Sequence, residues 1–180
     1  MGIGISLNNK IDIALEYGVS LIGTPYGFYK GSMAGSPCYA DIKPVPLYIN
    51  ECNCVGLVNL IRKKLYLSIP YHDIFPGGVK AWTIFFNKKK GLLIFDINKQ
   101  YPNGSLLISP NTDNFPGHIA ILYKVNNLDL LNSKLLHSFP EYENFSYSSV
   151  GPGVCITTIR DCPMNGQYKY ICPPNIWLTK

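Results

Sequence analysis

Charge is scarce in this 180-residue chain: 15% of residues are Asp, Glu, Lys or Arg, against roughly 25% in an ordinary globular protein. Disorder needs the reverse balance, high net charge and low hydrophobicity, and 47% hydrophobic residues exclude it for most of the chain. Arginine is rare, with Arg62 and Arg160 as its two examples, and histidine is limited to His72, His118 and His137. The net charge of +5 lacks a basic face beyond the run Lys88-Lys89-Lys90, so no nucleic-acid partner is expected. No uncharged apolar run approaches the ~18–20 residues of a membrane span, and no charged-then-apolar leader opens the chain. Internal repeats and low-complexity tracts are absent too. A cytoplasmic or virion-associated location is the expectation.

What is present is a chain long enough to bury a core unaided, read as a single domain over residues 1–180. Gly and Pro are plentiful, at 16 and 14 residues, which disfavours long helical bundles. Ile11, Ala14, Leu15, Tyr17 and Val19 line one side of a helix predicted over 9–20, stopped by Gly23-Thr24-Pro25. A long Gly- and Pro-rich loop follows at 27–53. A second helix is predicted over 54–66, its last turn carrying Arg62, Lys63 and Lys64 as complements to the helix dipole. A third covers 78–87. Beyond residue 90 the texture becomes strand-like, at 91–95, 106–108, 119–123, 134–137 and 154–159, with a tail at 160–180 tied back by Tyr168, Tyr170 and Trp177. Helices first and strands afterwards define an α+β fold, helices packed on one face of an antiparallel sheet.

Met1-Gly2-Ile3-Gly4-Ile5-Ser6 fits the N-myristoylation pattern, so a membrane enters as a partner only if Gly2 is acylated. The six cysteines are not needed as a disulfide framework in a chain this size. Cys162 and Cys172 can pair in an oxidising compartment. The oligomeric state is open, and His72 reads as a surface residue in a Pro-bounded turn.

Two residues point to chemistry. Cys54 opens the second helix in Asn53-Cys54-Val55-Gly56-Leu57-Val58, where unsatisfied N–H groups and the dipole favour thiolate over thiol. His118 opens the most strand-like segment, Gly117-His118-Ile119-Ala120-Ile121, and an imidazole within reach of a thiol is its activating base. His137, at the end of another strand, can hold that ring in one tautomer.

These segments resemble the NlpC-type cysteine peptidase superfamily, a compact papain-like fold, in the family's own order. Leu21-Ile22-Gly23-Thr24-Pro25-Tyr26 is similar to its G-T-P-Y turn, and Asn53 to Val58 to its D-C-S-G-L-V nucleophile motif. Tyr101 to Leu107 resembles the strand preceded by P-G-D-L. Gly117 to Leu122 is similar to H-V-G-I-Y, and Leu136-His137-Ser138 to M-I-H-A. The resemblance spans residues 10–160. It implies a cysteine hydrolase of peptide or amide bonds, with Cys54 as nucleophile, His118 as general base and acid, and His137 as orienter. It also implies Tyr26, Asn53, Val55 and Gly117 along the substrate groove, a thioester acyl-enzyme, and no cofactor or metal. Tyr26 reads equally well as a turn aromatic packed on the sheet. Asn53 and Val55 depart from the family's Asp and Ser, which help hold a free amine in cell-wall peptides, so the usual specificity is not implied.

Three other readings compete. Cys52, Cys54, His118 and His137 are the right types for tetrahedral zinc, though C-x-C is tighter than the usual spacing. A lipid acyl hydrolase or acyltransferase would use the same Cys and His. A non-catalytic binding or structural module, as in a virus particle, would keep them as relics.

Overall fold

The computed structural model describes residues 5–27, 49–69, 78–112, 117–140 and 152–179; most of the loop assigned to 27–53, His72 and the Gly2 acylation pattern lie outside them. Helix α1 (Leu7–Ser20) starts on Ser6, whose Oγ accepts from the Asn9 N–H, and α2 (Cys54–Lys64) and α3 (Val79–Lys88) follow. The strands are β1 (Leu93–Ile94), β2 (Leu106–Ser109), β3 (His118–Lys124), β4 (Lys134–Phe139), β5 (Gly153–Thr158) and β6 (Tyr170–Cys172), and a short α4 (Pro174–Trp177) closes the chain. Among the described residues no helix is long and apolar enough to cross a membrane.

The six strands of the described residues form one sheet in the order β1-β6-β2-β3-β4-β5, antiparallel at every pairing. The expected α+β architecture is what the structure contains. The segment read as a tail does more than tie back, because β6 lies inside the sheet between β1 and β2. Three residues, Tyr170-Ile171-Cys172, are too short to show a strand alternation, and their place is set by pairing with β2.

Alternation along the strands builds two apolar layers. Leu106, Ile108, Ile119, Ile121 and Leu136 face the helices, meeting Ala14, Leu15, Leu57, Val58 and Ile61. Leu107, Ala120, Leu122, Leu135 and Phe139 face the other way, against Ile159, Cys162, Met164 and Tyr168. The second layer is thus covered by the chain after β5.

Arg62 is fully buried and ties α2 to the C-terminal segment. Its Nε donates to the Ser68 carbonyl at 2.7 Å, and its Nη1 donates to the carbonyls of Trp177 and Thr179. The guanidinium lies 5.3 Å from the Trp82 ring centre and 5.5 Å from that of Phe85, a cation–π setting that offsets part of its desolvation. Burial lowers its pKa to about 10, so it stays charged at neutral pH. Trp177 Nε1 donates to the Gly104 carbonyl at 2.7 Å, which locks α4 to the start of β2.

Gly153 begins β5 with φ +139°, a conformation essentially reserved for glycine. It forms a bridge with Pro25, and an added Cβ would run into the Thr24 carbonyl oxygen. Gly153→Ala is expected to cost roughly 2–4 kcal/mol in denaturant unfolding. Gly78→Ala, at the N-cap of α3 where an added Cβ meets no described atom within 4 Å, should cost only about 0.5–1 kcal/mol, the loss of a favourable cap residue.

Candidate active site

The approach to Cys54 is held from both sides. The Cys52 N–H donates to the Pro25 carbonyl at 2.9 Å, and the Cys52 carbonyl accepts from Ser138 Oγ at 2.6 Å. Asn53 is the N-cap: extended at φ −98°, ψ 179°, its Oδ1 accepts the Gly56 N–H at 2.7 Å and its carbonyl the Leu57 N–H at 3.0 Å. That cap fixes Cys54 as the first residue of α2. Its thiol receives backbone hydrogen bonds from Ile119, Val55 and Cys54 itself, so it abuts the start of β3, one residue from His118.

His118 and His137 sit on the sheet face opposite the helices. The β3–β4 register pairs Ile121 with Leu136 and Leu122 with Leu135; carried back along β3, it sets His118 on a diagonal from His137. His118 Nε2 lies 3.1 Å from His137 Nδ1, and His137 Nε2 lies 3.0 Å from Thr157 Oγ1 on β5. The Phe139 ring packs edge-on against His118 at 5.0 Å, and the Tyr168 ring stands 6.4 Å away. With Nε2 engaged, His118 has Nδ1 left for a reacting partner.

Burial dominates the electrostatics. His118 is 4% exposed and His137 fully buried. Desolvation holds His137 down at about pKa 4, and desolvation together with the His137 ring holds His118 well below the ordinary histidine range. The helix start was expected to favour the Cys54 thiolate. Burial overrides it and pushes the thiol up to about 11, with the backbone hydrogen bonds only partly opposing. The resting pair is therefore a neutral thiol and a neutral imidazole.

Of the residues the resemblance placed along a groove, Asn53 spends its side-chain oxygen on the helix cap. Val55 is buried in the core layer beneath the helices. Tyr26 is half-buried, next to Pro25, whose carbonyl holds the Cys52 N–H. Gly117 enters β3 where a Cβ would sit 2.5 Å from Asn111 Oδ1 and 2.9 Å from the Ser109 carbonyl, so a side chain there would push β2 and β3 apart.

The zinc set does not assemble: Cys52 Sγ donates to the Asn53 carbonyl at 3.3 Å, and the two histidines turn ring nitrogens on each other. Among the described residues, no three His, Cys, Asp or Glu side chains gather as metal ligands. Cys54, Cys155, Cys162 and Cys172 are free thiols, with Cys162 and Cys172 in different core layers. Sequence reasoning missed Thr157, Phe139 and Tyr168. Phe139, two residues beyond His137, was reachable by strand alternation; Tyr168 has no local signal.

No family model matches the sequence, and no curated protein does. Solved structures do. An NlpC/P60 family protein from Bacillus cereus superposes with a TM-score of 0.50 at 14% identity, over 90% of this chain and 39% of that one. The endolysin LysIME-EF1 superposes with a TM-score of 0.50 at 16% identity, over 95% of this chain and 65% of its own. The chain therefore has the papain-like NlpC/P60 fold, and it spans less than two thirds of the length of either protein. At these identities the likeness defines the fold and leaves the reaction to the site.

Two outcomes follow from the buried neutral site. Alkylation of Cys54 by iodoacetamide, followed by peptide mass spectrometry, should rise with pH along a curve centred above the ~8.5 of a free thiol; a midpoint below 7 would indicate a preformed ion pair. Acid should destabilise the fold. Below about pH 6.5 the unfolded chain takes up the proton that folded His137 refuses until about pH 4. Stability present at pH 7 is thus lost across that window, by about 3 kcal/mol from this group, with His118 acting in the same direction. Urea unfolding at pH 7, 5.5 and 4 measures it, and His137→Gln should flatten the slope.

Proposed function

We propose that the chain is a cysteine hydrolase cleaving amide or peptide bonds, with peptides or isopeptides of the bacterial cell-wall type as substrates. The observation that carries this reading is a thiol at a helix start set against the residue next to His118, whose far ring nitrogen is held by His137 at 3.1 Å. The fold shared with an NlpC/P60 protein and an endolysin supports the substrate class.

Neutral partners prescribe the order of events. The Cys54 proton passes to His118 Nδ1 as Sγ attacks the carbonyl carbon, so that charge develops only with substrate bound. The carbonyl oxygen becomes an oxyanion beside the first turn of α2. There the Gly56 N–H is already taken by Asn53, while the Cys54 and Val55 N–H groups point at the sulfur and are the donors within reach of the oxyanion. His118 returns its proton to the leaving amine as the C–N bond breaks, leaving a thioester on Cys54. Water, deprotonated by His118, then releases the acid and regenerates the thiol. His137 keeps the His118 ring in plane throughout.

The test incubates wild type, Cys54→Ala and His118→Ala with cell-wall stem peptides, unrelated peptides and phospholipid vesicles, and follows products by mass spectrometry. Stem-peptide cleavage that falls by roughly a thousandfold or more in both variants is expected. Turnover of the phospholipid esters alone, or of nothing, would overturn the reading.

A further inference from the structure

The two histidines carry an ambiguity of direction that a third residue resolves. One proton lies between His118 Nε2 and His137 Nδ1, and another between His137 Nε2 and Thr157 Oγ1. If Thr157 accepts, His137 carries its proton on Nε2, its Nδ1 accepts from His118 Nε2–H, and His118 Nδ1 is left with a lone pair. If Thr157 donates, every bond reverses and His118 Nδ1 bears a proton, so the ring cannot serve as a base.

We propose that Thr157 is a positioning residue: by accepting from His137 Nε2–H, it sets the tautomers of both histidines and leaves His118 Nδ1 unprotonated toward Cys54. The placement follows from the sheet. Thr157 is paired with Leu135 and Cys155 with His137, so Thr157 stands on the diagonal from His137 as His137 stands from His118. All three share the face covered by Cys162 and Tyr168. Thr157 also has a neighbour to take its hydrogen. Buried Cys162 is a hydrogen-bond partner of its side chain, with Sγ 3.4 Å from the Tyr168 hydroxyl. A Thr157 hydrogen turned to that sulfur leaves the oxygen's lone pairs for His137, the one direction in which His118 Nδ1 is able to take the Cys54 proton. Thr157→Val keeps the shape and removes the acceptor. A buried orphan N–H is disfavoured more than a buried lone pair, so the variant drives both rings toward the reversed tautomer.

The proposal rests on Cys54 and His118 as the reacting pair, and its test separates the two. Imidazole ¹⁵N shifts at pH 7 assign the protonated nitrogen of each ring without any substrate. Wild type is expected to show protons on Nε2 of both His118 and His137, Thr157→Val a shift toward Nδ1 in both, and Thr157→Ser the wild-type pattern. In parallel, kcat for stem-peptide cleavage should fall roughly 10- to 100-fold in Thr157→Val at unchanged KM, the rate equivalent of one buried hydrogen bond, and recover in Thr157→Ser. A wild-type His118 protonated on Nδ1, or tautomers unmoved in Thr157→Val, overturns the proposal even if the valine variant is poorly active. Absence of wild-type cleavage overturns the hydrolase reading instead, with the tautomer result still deciding the role of Thr157.

Discussion

The hydrogen bond between His118 and His137 organises this site, and it depends on the pairing of β3 with β4. A one-residue slip would turn one ring to the helix-covered face and leave the other buried without its partner. The register therefore has to be held by groups remote from the chemistry. Ile121 with Leu136 and Leu122 with Leu135 do so from opposite layers. Ser138, between His137 and Phe139, faces the helix side and anchors the loop that delivers Cys54. One strand thus orients His118 and positions the loop that leads into Cys54.

Burial decides the charge state of that site. A thiol and two imidazoles removed from water are all driven to their neutral forms, with desolvation by burial the largest cause at each. Such a site stores no ion pair. In the proposed hydrolysis, charge develops there only once a substrate carbonyl is bound. Arg62 shows the contrasting solution within the same molecule: burial costs it part of its basicity, yet backbone carbonyls and two aromatic faces keep it charged.

Much of the fold is readable along the chain. The predicted 9–20, 54–66 and 78–87 helices correspond to Leu7–Ser20, Cys54–Lys64 and Val79–Lys88, and five predicted strands to β1 through β5. Asn53 as a cap and His118 at a strand start are local features, visible as residue types beside periodic segments. β6 was not visible, since a three-residue strand is made by its neighbours. Nor was the covering of the second layer by the segment around Cys162, Met164 and Tyr168, which looks like an irregular tail.

Residue order alone was enough to bring out Cys54, His118 and His137 and the α+β plan, because capping and hydrophobic periodicity act over a few residues. It was not enough to show what those side chains carry. The helix start argued for a thiolate, and desolvation by the packed sheet reversed it. The sequence neighbours of His137 do not reveal Thr157, which reaches it through strand register across a long connection. Protonation and tautomer are set by what surrounds a group in three dimensions, since the field at a buried atom sums over every element packed against it.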